Sequence, residues 1–319
     1  MTDKQINRWL RRQFSPVGWL LMVYYGLMTL LTSVTLAVDA ARESLWAMVS
    51  GDFSGNLNWD KIYSNGWGYI AAILVCVSVF HAWKGNTYWK QEILAREKRM
   101  EGKTFLFFLL FCMGAQMVNS LWVTLLELLM NAFGKSVMPV LEAVAGSSDT
   151  FSMFLYASIF APVWEELLFR GYVLRTLRPF GKRFAILCSA LLFGLFHGNL
   201  LQTPYAVIMG LILGYVTVEY SILWSVLLHM FNNLVLADLL TRLTATWSEM
   251  AYGTLNLILF GGSALISFRI LLKNRGEISA YQKEEWMDRR CLKCFFLNPG
   301  ILVLTVMMCA SMLMTLFLT

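Results

Sequence analysis

Charged residues are scarce in this sequence, and their scarcity excludes an ordinary soluble domain. Only 14% of the 319 residues are charged, whereas 58% are hydrophobic. A soluble domain has about 25% charged residues, because its surface must be solvated. The composition therefore indicates an integral membrane protein.

Histidine is also rare, and several catalytic signatures are absent. The chain has three histidines, and it contains neither an H-E-x-x-H zinc-protease motif nor a G-x-S-x-G serine motif. Its one C-x-x-C, formed by Cys291 and Cys294, lacks the second ligand pair that a structural zinc needs. We therefore expect these cysteines to be reduced thiols.

Apolar segments long enough to cross a bilayer, about 20 helical residues, recur along the whole chain. Nine candidates lie at 16–38, 67–84, 104–132, 150–174, 184–203, 204–220, 221–240, 251–272 and 299–318. The fifth to seventh run close together, so eight spans are also compatible with the sequence. The first lacks a small-residue cleavage site and is expected to remain as a span. The sequence thus predicts an all-α, polytopic transmembrane helix bundle of eight to nine spans, with residues 1–319 in a single membrane domain.

Lysine and arginine are distributed unevenly between the two sides of the predicted bundle. With the N-terminus inside, the cytoplasmic segments contain the basic residues of 4–12, 84–103, 170–183 and 273–293, and the opposite loops offer only Arg42, Lys61, Lys135 and Arg242. This asymmetry predicts a multi-pass protein of the cell membrane with a cytoplasmic N-terminus and, with nine spans, an outward C-terminus. Anionic membrane lipids then account for the net charge of +6, and no nucleic-acid partner is expected.

Two adjacent glutamates interrupt the fourth apolar segment, in FAPVWEELLFRGY at 160–172. An ionisable side chain within a membrane is costly and normally faces the interior of a bundle. On a helix, Glu166 and Arg170 are four residues apart and share a face, whereas Glu165 is rotated from Glu166 by about 100°. We expect Arg170 to hold Glu166 in an ion pair and Glu165 to face different neighbours.

Two histidines lie at a depth comparable to that of the glutamates. His197 follows FGLF in the fifth segment, and His229 lies in LLHMFNNL in the seventh, with Asn233 one turn further along. Counted from the cytoplasmic ends, Glu165, His229 and His197 lie about 15, 12 and 22 Å inside. An intramembrane cluster is geometrically feasible, and it offers a base, a second acid or base and polar donors. His81, at the inner end of the second segment, is expected to have no chemical role.

Taken in order, these motifs resemble those of a known family. EELLFR matches an E-E-x-x-x-R motif, FGLFH matches F-x-x-x-H, and HMFNN matches H-x-x-x-N through His229 and Asn233. Their order on successive apolar segments, within residues 150–240, resembles the CAAX-protease and bacteriocin-processing family, the CPBP or Abi intramembrane proteases.

The resemblance implies a CAAX-prenyl-protease-like helical core with a site inside the membrane, reached from the cytosolic side, that hydrolyses a peptide bond. Glu165 matches the catalytic glutamate of the family. The other residues that match motif positions are Glu166, Arg170, His197, His229 and Asn233.

Peptide hydrolysis requires an activated water and hydrogen-bond donors where the oxyanion develops. Glu165 is the candidate general base, His197 would orient the water, and His229 and Asn233 would donate to the tetrahedral oxygen. A divalent metal such as zinc bound by Glu165, His197 and His229 remains open, because two histidines and a glutamate can form a hydrolytic zinc site. We favour a metal-independent mechanism, since a carboxylate does not easily serve both as ligand and as sole base.

Other functions remain open as well. Some family members are discussed as membrane scaffolds or bacteriocin self-immunity factors, in which the same side chains would only stabilise the bundle. Transport is disfavoured because no inverted repeats or paired broken helices are visible. The expected function is an intramembrane endopeptidase acting on a hydrophobic peptide, of leader or bacteriocin type or lipidated, and the sequence does not select among these substrates.

Overall fold

The computed structural model describes residues 2–51, 57–95, 97–145, 150–284 and 288–317, and within these ranges the chain forms helices and turns without any strand. The all-α class is therefore confirmed. In chain order the helices are α1 Asp3–Ser50, α2 Trp59–Tyr63, α3 Trp67–Tyr88, α4 Gly102–Asn131, α5 Met138–Ala145, α6 Phe151–Phe180, α7 Lys182–Phe196, α8 Thr203–Glu219, α9 Ile222–Thr244, α10 Glu249–Lys273, α11 Arg275–Glu284, α12 Arg289–Phe296 and α13 Pro299–Phe317.

Seven of the described helical segments are long and apolar enough to cross a membrane, namely α1, α3 extended to Lys61–Ile93 by the end of α2 and a π-helical turn, α4, α6, α9, α10 and α13. They correspond to seven of the nine predicted segments, and the chain is a multi-pass membrane protein. The other two segments, 184–203 and 204–220, are the shorter helices α7 and α8, with 15 and 17 residues. Fifteen residues rise about 22 Å, less than the hydrocarbon thickness of about 30 Å. Residue 318, in the predicted ninth segment, lies outside the described residues.

The turn between α7 and α8 differs from the continuous segment expected through residue 203. Helix α7 ends at Phe196, and Gly198 has a φ of 58°, a left-handed conformation that glycine adopts without strain. Thr203 Oγ1 donates a hydrogen bond to the carbonyl oxygen of Asn199, 2.8 Å away, which closes the turn. His197 therefore lies just beyond the end of a helix, and its backbone follows a turn.

The basic segments predicted to be cytoplasmic come together at one end of the bundle, apart from residues 96 and 285–287, which lie outside the described residues. Trp9 of α1 contacts Phe180 at the end of α6, with ring centroids 5.9 Å apart. Asp3 of α1 pairs with Arg290 of α12 at 2.9 Å. We call this the basic end of the bundle, and its cytoplasmic location stays a prediction.

The loop before α4 is hydrogen-bonded to the basic end of the bundle. Arg178 Nη1 donates to Glu97 Oε1 at 2.7 Å, and the backbone N–H of Glu97 donates to the carbonyl oxygen of Tyr220 at 2.8 Å. The hydrogen bond from Arg178 lowers the pKa of Glu97 below its ordinary value, because it favours the ionised carboxylate. Tyr88 donates its hydroxyl proton to the carbonyl oxygen of Gly171. These contacts hold α3 and the loop before α4 against the basic end of α6.

Helix α6 is the most enclosed of the seven spans. In an apolar 18-residue stretch of α6, 44% of the residues are buried, against 6% in the corresponding stretch of α1. Helix α7 bonds to it directly, since Ser189 Oγ donates to the carbonyl oxygen of Phe169 at 2.8 Å. Helix α8 packs closely on α7, since a Cβ added to Gly210 would come within 2.8 Å of Ala190 Cα. The small size of Gly210 and Gly214 therefore permits α8 to pack closely on its neighbours.

Cys291 and Cys294 are both buried and free of disulfide bonds in α12. Cys294 Sγ donates to Asn7 Oδ1 of α1 at 3.6 Å. Burial raises the pKa of the Cys291 thiol, because the thiolate loses its hydration. Both cysteines pack α12 against its neighbours.

Candidate active site

Glu165 and Glu166 lie in α6 between two stretches of π-helix. The α-helical turn Ala161–Glu166 follows the π segment Tyr156–Phe160 and precedes the π segment Leu167–Leu174. A π segment changes the rotation between successive side chains, and such segments are frequent at functional sites. The directions in which the side chains of α6 project therefore depart from a regular 3.6-residue period on both sides of the glutamates.

Glu166 and Arg170 form the predicted ion pair. Arg170 Nη1 lies 2.9 Å from Glu166 Oε1, and both side chains are fully buried. Arg170 Nη2 donates to the carbonyl oxygen of Gly210 on α8 at 3.4 Å, and the guanidinium lies 4.3 Å from the ring centroid of Phe193 on α7. Arg170 thus connects α6 to both helices of the hairpin, and the close approach of Gly210 makes this possible.

His229 of α9 contacts both glutamates. Its Nδ1 lies 3.0 Å from Glu166 Oε1 and its Nε2 lies 3.8 Å from Glu165 Oε2. An ionised carboxylate only accepts hydrogen bonds, so Nδ1 carries the proton that is donated to Glu166. The two glutamates therefore share one neighbour, His229, which the expectation of different neighbours did not include, although only Glu166 pairs with Arg170.

Glu165 is accessible where Glu166 is not. The side chain of Glu165 is 30% exposed, whereas that of Glu166 is 0% exposed. The phenol groups of Tyr24 on α1 and Tyr156 on α6 lie close enough to Glu165 to interact with it electrostatically. Of the two adjacent carboxylates, only Glu165 can therefore meet water and a substrate.

The ring of Phe193 contacts both His197 and His229. Nδ1 of His197 donates to the carbonyl oxygen of Phe193 at 2.9 Å, because a carbonyl can only accept, and Nε2 is then the basic nitrogen of the neutral ring. The Phe193 ring is edge-on to both imidazoles, with centroid distances of 5.0 Å to His197 and 5.6 Å to His229. Phe193 thus orients His197 and also contacts His229.

Asn233 contacts the backbone of α6. Its Nδ2 donates to the carbonyl oxygen of Ala157 at 3.1 Å. That carbonyl lacks a helical partner because of Pro162. The N–H of Ala161 bonds to the carbonyl oxygen of Tyr156, five residues back. In the same pattern the N–H of residue 162 would bond to the carbonyl oxygen of Ala157, but Pro162 has no N–H. One N–H of the Asn233 amide therefore bonds to α6, and the other is left for a ligand.

Three further polar side chains, not identified as site residues from the sequence, orient Asn233. Gln116 Nε2 of α4 donates to Tyr205 Oη of α8 at 2.8 Å, and Tyr205 donates to Asn232 Oδ1 at 2.6 Å. Asn232 Nδ2 then donates to Asn233 Oδ1 at 3.1 Å. Together with the bond from Asn233 to Ala157, these hydrogen bonds form a series that we call the donor chain. Each bond in it donates in the direction from Gln116 to Ala157, so the orientation of the Asn233 amide is fixed. The one signal for it in the sequence is the doubled asparagine of HMFNN.

The three side chains that the sequence left open as metal ligands do not come together as one ligand group. Within the described residues, no three His, Cys, Asp or Glu side chains lie close enough together to hold one metal ion. Glu165, His197 and His229 are all among these residues, and each imidazole packs against the Phe193 ring. A divalent metal shared by the three does not fit this arrangement.

Residues 147–235 match the family model described as type II CAAX prenyl endopeptidase, Rce1-like. The matched region contains all three motifs and runs from the start of α6 into α9. The match confirms the resemblance to the CAAX-protease family and indicates membrane peptidase activity. The chain matches no curated protein and no solved structure.

Proposed function

We propose that this protein is an intramembrane endopeptidase in which Glu165 activates the attacking water. The observation that carries the proposal is the position of His229 between an accessible and a fully buried glutamate. Ionisable groups among apolar helices are costly, and their convergence from separate helices supports a functional role. The family match of residues 147–235 supports peptide hydrolysis as the reaction.

Glu165 is the general base in this proposal. Its carboxylate takes a proton from water, the water oxygen adds to the carbonyl carbon of the substrate, and the carbonyl oxygen becomes an oxyanion. Collapse of this intermediate breaks the C–N bond, and the proton held by Glu165 passes to the leaving amine. Nε2 of His197 accepts the second hydrogen bond of the water. Such acid–base assistance contributes about 10²–10⁴-fold to a rate.

Glu166 and Arg170 act through His229 as positioning residues. Arg170 balances the charge of Glu166, and Glu166 accepts the Nδ1 proton of His229, which fixes the plane of the ring. When the ring is protonated, Nε2–H is directed to the same side as Glu165 and can donate to the oxyanion. A donor that is already oriented needs no rearrangement as the charge develops.

Asn233 supplies the second donor to the oxyanion. One of its N–H groups bonds to Ala157, and the other is the group we assign to the developing charge. The donor chain through Tyr205 and Asn232 prevents the amide from flipping, because a flipped amide would set its oxygen against the Ala157 carbonyl oxygen. Asn232 and Tyr205 are thus positioning residues for Asn233.

The proposed substrate is a hydrophobic peptide, of leader or bacteriocin type or lipidated. Glu165 lies ten residues before Arg175 in α6, about 15 Å along the helix axis. A substrate must therefore bring its peptide bond among apolar helices, and apolar or lipid-anchored peptides lose the least hydration in doing so. Entry from the cytosolic side and a location in the cell membrane rest on the distribution of Lys and Arg.

The first test compares wild type with Glu165→Gln, purified in detergent, on a quenched library of hydrophobic and lipidated peptides. Glutamine keeps the size of the side chain but cannot take a proton, so cleavage is expected to fall at least about 10²-fold. Glu142→Gln, at an exposed carboxylate of α5, is the matched control and should cleave at the wild-type rate. Full activity of Glu165→Gln would contradict the assigned base.

A scaffold or bacteriocin self-immunity factor is the alternative function. Full burial of Glu166 and Arg170 favours it, since a pair that only stabilises a bundle would be buried in the same way. In that case neither wild type nor Glu165→Gln cleaves any peptide, and both give the same cellular phenotype. That pair of results would replace the protease proposal.

We propose that the reaction needs no metal, because the three candidate ligands do not converge. Wild-type cleavage is expected to be unchanged after dialysis against a chelator and after addition of zinc. Cleavage that is lost with the chelator and restored by zinc would instead support a site in which Glu165, His197 and His229 rearrange around a metal.

A further inference from the structure

A cavity at the basic end of the bundle is lined by four cations of α1, away from the candidate active site. The cavity is open to the surface, its walls include the exposed side chains of Lys4, Arg8, Arg11 and Arg12, and Asn298 and Pro299 at the start of α13 line its other side. The cavity volume is about 620 Å³, whereas one water takes about 30 Å³. The cavity therefore has room for a ligand of headgroup size.

The four cations have no carboxylate partner among the described residues. Asp3, the acid of the same helical turn, pairs with Arg290. On the opposite side of the bundle, by contrast, Arg42 and Lys61 are both in ion pairs. Lys4 and Arg8, and Arg8 and Arg12, are like charges four residues apart on one helix, an arrangement that is destabilising without a counter-charge. An anion in the cavity would supply that counter-charge.

The walls of the cavity are held by contacts between helices. Asn298 Nδ2 donates to the carbonyl oxygen of Arg11 at 2.8 Å, and Asn298 Oδ1 accepts from the N–H of Gly300 at 3.1 Å. Helices α1 and α13 cross closely here, since a Cβ added to Gly18 would come within 2.6 Å of Ile301 N. The backbone around the cations is therefore fixed before any ligand arrives.

The cavity lies where the charged part of α1 meets its apolar part. The first apolar segment begins at residue 16, and Trp9 and Trp19, on either side of that boundary, are 47% and 52% exposed. Exposed tryptophans at such a boundary are typical of the headgroup layer of a membrane. Arginine binds phosphate oxygens through two parallel N–H groups.

We propose that this cavity binds the phosphate headgroup of one anionic phospholipid, with phosphatidylglycerol as the probe. Free phosphate shares the headgroup chemistry, but a lipid also has acyl chains. These can lie along the apolar residues that α1 and α13 expose beyond the cavity, such as Val23 and Leu302, which are 64% and 48% exposed. The proposal does not depend on the protease activity.

Native mass spectrometry of the full chain tests this proposal by titrating the detergent-purified protein with phosphatidylglycerol or phosphatidylcholine. Wild type is expected to retain one phosphatidylglycerol per chain. The triple variant Arg8→Gln, Arg11→Gln, Arg12→Gln is expected to bind it about tenfold or more weakly, because charge-assisted hydrogen bonds are lost. The Arg→Lys triple variant, which keeps charge and helix, should bind with intermediate affinity, since an ammonium lacks the fork of guanidinium.

The matched control removes three other cations from the same side, Lys90→Gln, Arg99→Gln and Lys103→Gln, which are exposed and lie outside the cavity. It should bind phosphatidylglycerol with wild-type affinity. Equal losses in the two triple Gln variants would overturn the proposal in favour of diffuse surface attraction. Competition by inorganic phosphate at the same concentration as the lipid would also overturn it, since the site would then bind a free anion.

Discussion

The candidate site has a closed corner, formed by Glu166 and Arg170, and an open corner, which we define as Glu165 and the His197 that the proposal assigns to the same water. The closed corner is fully buried and its groups bond to each other, whereas the carboxylate of the open corner is 30% exposed. Two glutamates with the same chemistry, adjacent in one helix, therefore differ in access because they project in different directions. In the proposed mechanism the buried pair positions His229, and the exposed carboxylate reacts with water.

The largest expected effect follows from breaking the closed corner. Arg170→Met leaves Glu166 buried without its charge partner, and we expect the free energy of unfolding to fall by about 3–5 kcal/mol. Unfolding in mixed micelles with increasing SDS measures it. The double variant Glu166→Leu, Arg170→Met removes both charges and should recover most of the loss. A single Arg170→Met variant as stable as wild type would show that the pair does not hold the bundle together.

Changing the open corner should reduce activity without changing stability. His197→Gln can keep a hydrogen bond to the Phe193 carbonyl oxygen but has no basic nitrogen, so kcat is expected to fall about 10²-fold. Steady-state kinetics on a cleaved peptide, together with the SDS titration, separates the two effects. If His197→Gln unfolds as readily as Arg170→Met, His197 belongs with the closed corner.

The donor chain to Asn233 gives a smaller effect that tests positioning alone. Tyr205→Phe removes only the hydroxyl that donates to Asn232, and the misoriented amide is expected to lower kcat about tenfold while KM is unchanged. Tyr220→Phe, which removes a hydroxyl at the other end of α8, is the matched control. Equal values of kcat for the two variants would argue against the donor chain.

The smallest effect concerns the basic end, far from both corners. The pKa of Glu97 is lowered in the folded protein by Arg178, so their contact stabilises the fold above the pKa of the unfolded chain and is lost as the pH falls through the folded value. As the pH falls below the ordinary pKa of 4.5, the Tm of wild type should therefore decrease slightly more than the Tm of Glu97→Gln. Thermal unfolding in detergent against pH measures the difference, and parallel curves would contradict the contact.

Local spacing explains which parts of the site were predictable from the sequence. Glu166 and Arg170 are four residues apart, so one helix is enough to bring them together, and the pair is present. His229 lies 63 residues from Glu166 along the chain, and no spacing rule indicates that its two nitrogens face the two glutamates. Likewise, the Asn233 motif predicts a polar donor but not its bond to Ala157, which depends on how α9 packs on α6.

The sequence by itself determined that this is a multi-pass helical membrane protein with the motifs of a CAAX-type protease, because composition and spacing along the chain are properties of the chain alone. Tertiary structure decided that α7 and α8 form a short hairpin, that one histidine contacts both glutamates and that the three candidate metal ligands do not form one ligand group. These features depend on the rotation and depth at which helices pack. Side-chain contacts between distant segments set both quantities, and no local pattern encodes them.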